Sequence, residues 1–324
     1  MRKTSRLSLL LGLLTCLPLA VWSQGSFPTK PIQVVIPFPP GGATDVLGRL
    51  VSKKLGEKLG QSIVIENKAG AGTIIGASYV AKSAPDGYTL LMSSGTTFTV
   101  NPAIHARLPY DPVKSFEPVG MIGRTGLILL AHKDAPANDV KQFVALVKAA
   151  PGKYSYGSFG TGTTSQFAGE MFFYAAGLKM VHVPYKGSSP AMIDLMGGQI
   201  PFTVDTVAAA LPQLRDGKIK AIAVTSGKRT SFLPNVPTLA ESGYPDINMD
   251  TWLALVGPRG LPSAVRSKLE KALAESLADP ETRDKVKAAG FEPQFIPGAS
   301  VSELIDKELP LMRATALRAR IQAD

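Results

Sequence analysis

The sequence predicts an α/β protein made of two doubly wound units, and three observations predict it. Short strand-like runs alternate with amphipathic helical runs from Pro31 to Gly123. The same alternation restarts after Gly126, and the connections in both stretches are short and marked by glycine and proline. A chain of 324 residues suits two cores better than one. With 45% apolar and 19% charged residues it has the composition of a soluble globule, not of a disordered polymer.

Taken in order, residues 32–38 read as a strand. Residues 44–59 read as a helix with Val46, Leu47, Leu50, Val51, Leu55 and Leu59 on one face. A strand over 63–66, a helix over 72–83 and a strand over 89–93 complete a unit expected to hold a mostly parallel sheet. In the second unit the strands fall at 127–131, 153–158, 180–184, 201–204 and 221–225. The helices fall between them at 140–150, 163–176, 189–197 and 207–216. Proline-rich residues 236–250 lead to a strand near 252–256 and a helical tail over 262–324, too short for a third unit. The tail is therefore expected to pack back on the first unit. Domain 1 then comprises 24–124 with 251–324, and domain 2 comprises 125–250.

Residues 1–23 stand apart from this grammar. Arg2, Lys3 and Arg6 precede an apolar run from Leu7 to Leu14, and Ala20-Val21-Trp22-Ser23 offers small residues for cleavage after Ser23. This predicts a signal peptide and an exported protein of the periplasm. Cys16 raises the alternative of a lipoprotein, but Thr15 suits a lipidation box poorly and Leu17-Pro18-Leu19 continues the apolar region. Cleavage after Ser23 would leave a chain without cysteine, which removes disulfide and thiolate chemistry. It would also lower the formal charge from +10 to +7, because three cations and no anions leave. The remaining lysines and arginines are scattered, without a basic helix or interleaved aromatics, so nucleic acid is not an expected partner.

Chemistry concentrates in glycine-rich turns. The stretch from Ile36 to Asp45 leaves a strand, passes two prolines and Gly41-Gly42, and enters a helix; Tyr154 to Gln166 does the same in the second unit. The first turn of a helix carries unpaired N–H groups and partial positive charge, and glycine lets an oxyanion reach the backbone. In open α/β sheets that edge binds ligands. The candidate ligand-binding residues are Phe38, Gly41, Gly42, Ala43, Thr44 and Asp45 from the first turn, and Gly162, Thr163, Thr164 and Gln166 from the second. Ser94, Thr96 and Asp205 join them from other strand ends, and Phe38, Phe98 and Phe159 are candidate walls. A hydrogen bond to a charged group contributes about 1.5–3 kcal/mol, whereas micromolar affinity needs about −8 kcal/mol after the cost of association. Two helix ends acting together are therefore expected. Asp45 fits two roles, stabilising its own helix start or accepting a donor from the ligand.

Several activities lose their footing. Gly41 to Gly48 lacks the lysine of a Walker A loop and the spacing of a dinucleotide fingerprint. His105, His132 and His182 are isolated, no Gly-x-Ser-x-Gly elbow occurs, and neither a metal nor a cofactor is called for. His182 reads as a strand residue bound to a neighbour, and the chain does not read as an enzyme.

With those residues in view, the chain resembles the solute-binding receptors of tripartite tricarboxylate carriers, the Bug family. The likeness rests on Phe27-Pro28-Thr29-Lys30-Pro31-Ile32, Pro40-Gly41-Gly42 with Asp45, Glu66-Asn67-Lys68-Ala69-Gly70-Ala71-Gly72 and Ala84-Pro85-Asp86-Gly87-Tyr88. It continues through His182-Val183-Pro184-Tyr185-Lys186-Gly187, Gly197-Gly198-Gln199 and Leu233-Pro234-Asn235-Val236-Pro237-Thr238. The resemblance implies a two-domain periplasmic-binding-protein clamshell, type II-like, with the ligand in the interdomain cleft. It implies a small carboxylate held by the Pro40-Gly41-Gly42 turn and the Gly160 to Gln166 loop, and integral-membrane permease subunits as partners of a monomeric receptor. A sensor protein of a signalling system is the alternative partner. Many members carry histidine where this chain has Gln166. Closure about hinges at 123–125 and 250–252 is expected as well.

Overall fold

The computed structural model describes residues 27–322. The leader expected over residues 1–23, with its cleavage site and Cys16, lies outside them.

Strands β1 (Ile32–Ile36), β2 (Ile63–Asn67) and β3 (Thr89–Ser94) run parallel in the order β2-β1-β3. Strand β9 (Asp250–Pro258) lies antiparallel beside β3, and then comes β4 (Phe116–His132), a strand of 17 residues. The front of β4 pairs with β9 from Phe116 to Gly126 and also with β10 (Glu292–Pro297). Its rear, Leu127 to His132, joins a second sheet between β7 (Phe202–Thr206) and β8 (Ile219–Val224), with β5 (Ser155–Ser158) and β6 (Val181–Pro184) running parallel beyond β7. The first sheet therefore adds β9, the front of β4 and β10 to its parallel trio through antiparallel pairings, and the second adds the rear of β4 and β8 to the parallel trio β6-β5-β7 in the same way. The expectation of mostly parallel sheets is corrected accordingly to mixed sheets: each keeps a parallel trio, and the strands that complete it, β9, β4, β10 and β8, pair antiparallel with their neighbours.

The inner strands are apolar on both faces because helices cover both. On the first sheet Val34, Ile36 and Met92 face α1 (Ala43–Leu59) and α8 (Ser263–Ala278), while Val35, Leu91 and Val256 face α2 (Ile74–Ala81) and α10 (Gly298–Ala319). On the second, Leu129 and Phe202 meet α4 (Val140–Ala149) and α5 (Thr164–Ala176). The opposite face, with Ile128 and Leu130, meets α6 (Ser188–Met196) and α7 (Val207–Arg215).

Helix α1 buries Leu47, Val51, Leu55 and Leu59, spaced by fours, but Val46 is exposed and Leu50 only half-buried. The seat is filled by Gly48 instead, where a Cβ would stand 2.5 Å from Ile36 Cδ1. Such close approach lets the helix lie directly on β1.

Three further differences have local causes. The helix expected over 72–83 begins with one tight turn, Ala71–Thr73, in which Ala71, Gly72 and Thr73 all have positive φ, so α2 proper starts only at Ile74. The front of β4 escaped the strand pattern because Pro118, Gly120 and Gly123 lie at its register shifts. The tail holds, besides α8, α9 (Pro280–Ala288) and α10, the strand β10, whose Pro293 and Pro297 sit on an edge where lost donors are tolerated. Between β3 and β4, a helical turn over 96–100 and α3 (Asn101–Ile104) carry the chain across the sheet edge.

Candidate functional site

The β1–α1 turn owes its shape to Asp45. Gly41 takes φ +78°, and its N–H donates to Asp45 Oδ2 at 3.0 Å. Arg49 Nε donates to the same oxygen at 2.9 Å, and Asn67 Nδ2 donates to Oδ1 at 2.9 Å and to the Phe38 carbonyl at 2.9 Å. Burial alone would raise the Asp45 carboxyl, but the bonds from Arg49, Gly41 and Asn67, with the Arg49 charge, hold it below the usual carboxylate range. Of the two roles open to Asp45, the structure places it in the structural one: it clasps turn, helix and β2 and does not line the cavity. No side chain caps the N-terminus of α1 at Gly42, which leaves its first-turn N–H groups available.

The β5–α5 turn is built alike. Gly160 and Gly162 have φ +139° and +74°, and the Gly162 N–H donates to Gln166 Oε1 at 2.7 Å, the same four-residue span as Gly41 to Asp45. Thr163 donates to the Gly160 carbonyl at 2.6 Å. The Thr164 N–H donates to Thr96 Oγ1, on the helical turn that follows β3, at 3.1 Å. The Gly162 and Thr164 N–H groups of this second turn are thus engaged by protein groups. Gly162, Thr164, Gln166 and Thr96 form part of a seam between the two halves.

A different pair of helix starts completes the enclosure. A small cavity, with about 30 Å³ open to the centres of water-sized spheres, is lined by Phe38, Gly42, Ala43 and Thr44 at the start of α1, by Ser188 and Ser189 at the start of α6, and by Asp205 and Thr206 just before α7. Ser94 at the end of β3, Thr125 on β4 and Thr251 on β9 add hydroxyls, while Phe159, Leu253 and Phe291 add apolar wall. Of the residues singled out by sequence, Phe38, Gly42, Ala43, Thr44, Ser94, Asp205 and Phe159 meet here. Gly41 borders a neighbouring surface groove, Thr163 lines the outer cleft, and Phe98 is a core residue stacked on Trp252 with centroids 5.7 Å apart. Ser188 and Ser189 could have been found, because Lys186-Gly187-Ser188 again leads from a strand through glycine into a helix. Phe291 carried no local signal.

Asp205 has no exposed surface. Its Oδ2 accepts from Ser188 Oγ at 2.7 Å, and its Oδ1 accepts from the Thr206 N–H at 2.6 Å. Burial pushes its carboxyl up to about 6, against the pull of these bonds. Thr251 Oγ1 is buried in the same wall with no hydrogen-bond partner.

Outside this chamber lies a larger cleft, about 690 Å³ on the same measure, between the β1–α1, β5–α5 and β6–α6 turns. Phe38 and Phe159, edge to face at 6.2 Å between centroids, stand between the two spaces. The halves touch closely around them: a Cβ on Gly72 would lie 2.4 Å from the Thr161 carbonyl oxygen, and one on Gly187 would lie 2.7 Å from Pro39.

Histidine chemistry lies elsewhere. His182 Nε2 is 2.7 Å from Ser158 Oγ, which also bonds Gly160, and burial lowers the imidazole to about 4. The pair is part of the β5–α5 turn and does not reach the cavity. Among the described residues, no cluster of three or more His, Cys, Asp or Glu is arranged to hold a metal ion.

Comparison with known proteins agrees with this architecture. A model of the tripartite tricarboxylate transporter family receptor matches residues 47–317. The chain is 35% identical over 272 residues to protein BugT of Bordetella pertussis, spanning 84% of this chain and 83% of that one. Among solved structures, Rpa4515 of Rhodopseudomonas palustris with adipate superposes with a TM-score of 0.88 at 33% identity, over 91% of this chain and 99% of that one. MatC from Rhodopseudomonas palustris, with bound malate, gives a TM-score of 0.85 at 30% identity over 89% and 99%. The fold is accordingly the two-domain α/β clamshell of periplasmic binding proteins. On the family model and on the identity carried along most of its length, the chain belongs to the receptors of the tripartite tricarboxylate transporter family.

Proposed function

We propose that the protein is an extracytoplasmic receptor that closes on a small organic acid and presents it to the integral-membrane subunits of a tripartite carrier. In this reading residues 24–124 and 251–324 form one lobe and 125–250 the other, hinged where β4 and β9 cross between the sheets. The observation that carries it is the chamber between the sheets, into which the uncapped start of α1 and the hydroxyl-bearing starts of α6 and α7 open. A carboxylate at α1 would receive several backbone N–H groups, each worth about 1.5–3 kcal/mol when the acceptor is charged. Bound adipate and malate in two relatives support a carboxylate ligand here. The family's solute-binding role supports capture without turnover, and the protein is read as acting as a monomer.

Calorimetry against a panel of small carboxylates tests the proposal, repeated on Gly42→Val. A Cβ at Gly42 stands 3.7 Å from the Pro39 oxygen and 4.0 Å from Ser188 Cβ, so valine's methyls must crowd the chamber. Affinity is expected to fall at least about tenfold. Unchanged affinity in the variant would remove the role assigned to the β1–α1 turn.

A further inference from the structure

We propose that Asp205 selects the chemical class of the ligand: the acid suited to this chamber is a monocarboxylate bearing a hydroxyl or ammonium donor, and not a fully ionised dicarboxylate. This deepens the carboxylate reading and rests on the chamber being the ligand site.

Asp205 is the only ionisable side chain among the described residues that line the chamber. It is fully buried, and its described partners are neutral groups, the Ser188 and Thr206 hydroxyls and the Thr206 N–H. Among the described residues no cation pairs with it. Each carboxylate oxygen can accept more than one hydrogen bond, and Oδ2 has only Ser188. The other lobe contributes an unpartnered polar atom, Thr251 Oγ1, buried in the same wall. Buried polar atoms are ordinarily paired, so the unpartnered Thr251 hydroxyl and the spare accepting capacity of Asp205 in one small chamber point to something the ligand brings.

A donor group fits both atoms. A hydroxyl can donate to Asp205 and accept from Thr251, and an ammonium can donate to both. A second carboxylate offers Asp205 nothing but like charge in a space with apolar walls and no counter-ion. The ligand's own carboxylate has a separate place at the uncapped start of α1. The raised Asp205 carboxyl, at about 6, accords with an anion still lacking its counterpart.

Calorimetry at about pH 8, where Asp205 is ionised, compares matched acids: propionate, lactate and alanine; butyrate, γ-hydroxybutyrate and γ-aminobutyrate; succinate and glutarate. On the unaltered protein at least one donor-bearing acid should bind about 10- to 100-fold tighter than its plain counterpart, with the dicarboxylates weakest. In Asp205→Asn that advantage should shrink to within about threefold and the dicarboxylates should gain. In Thr251→Val, with the donor acids weakened and the plain acids unchanged, the hydroxyl's share appears separately. A dicarboxylate or plain acid that equals the best donor-bearing acid on the unaltered protein overturns the proposal, whatever the variants do. A ranking unchanged by Asp205→Asn in a variant with a normal unfolding transition overturns it too. Binding by none of the acids overturns the carboxylate reading and this proposal together.

Discussion

Asp45 and Asp205 are both buried carboxylates next to helix starts, and their surroundings move them in opposite directions. Asp45 is held low, so its stabilisation is present above the unfolded value of 3.8 and is lost as pH falls through its lower folded value. Asp45→Asn should therefore cost about 1–3 kcal/mol in denaturant unfolding at neutral pH, with the gap to the unaltered protein narrowing in acid. Asp205 is held high, so the fold favours its protonated form: that stabilisation is complete below 3.8 and is lost as pH rises through about 6. Asp205→Asn should raise the unliganded unfolding midpoint at pH 7 and change little near pH 4. An equal effect at both pH values would show that the carboxylate is already compensated. The glycine turns and Asp205 were legible in the sequence because turn chemistry is local. Thr125, Thr251 and Phe291 come to the chamber through strand crossings and chain reversal, which no local pattern records.

At the scale of elements, helices and parallel strands were legible because their spacing and length are written within single segments. Strand β4 was half legible: Leu127 to His132 show an apolar run, whereas the front is broken by glycine and proline at its register shifts. The seam between the halves depends on the tight turn before α2. There Gly72 has φ +55° and lies so near the Thr161 carbonyl that a methyl could not be accommodated. Gly72→Ala should therefore hold the lobes apart, over and above about 1–2 kcal/mol of backbone strain. Small-angle scattering with ligand should show a larger radius of gyration than for the unaltered protein, and calorimetry a weaker affinity. A variant that still compacts on binding would place the seam's importance elsewhere.

Across the whole molecule, β4 is shared by the two sheets, and the chain re-enters the first sheet at the start of β9. Trp252, the single tryptophan among the described residues, sits on β9 beside Thr251, stacked on Phe98 and donating from Nε1 to Glu308 at 2.9 Å. Closure about this crossing should change its emission when ligand is added, and Gly72→Ala should abolish the change; emission indifferent to a ligand that calorimetry detects would argue for rigid lobes. The aromatic partition of Phe38 and Phe159 carries one more consequence. A guest held behind it would leave chiefly as the shells part, so its escape would become a first-order event timed by that parting, whichever acid is held. Stopped-flow dissociation should then give one similar rate for strong and weak guests, their affinities differing in capture. The membrane subunits would unload such a carrier by prying it open, a mechanical task, without having to outbid it for the cargo.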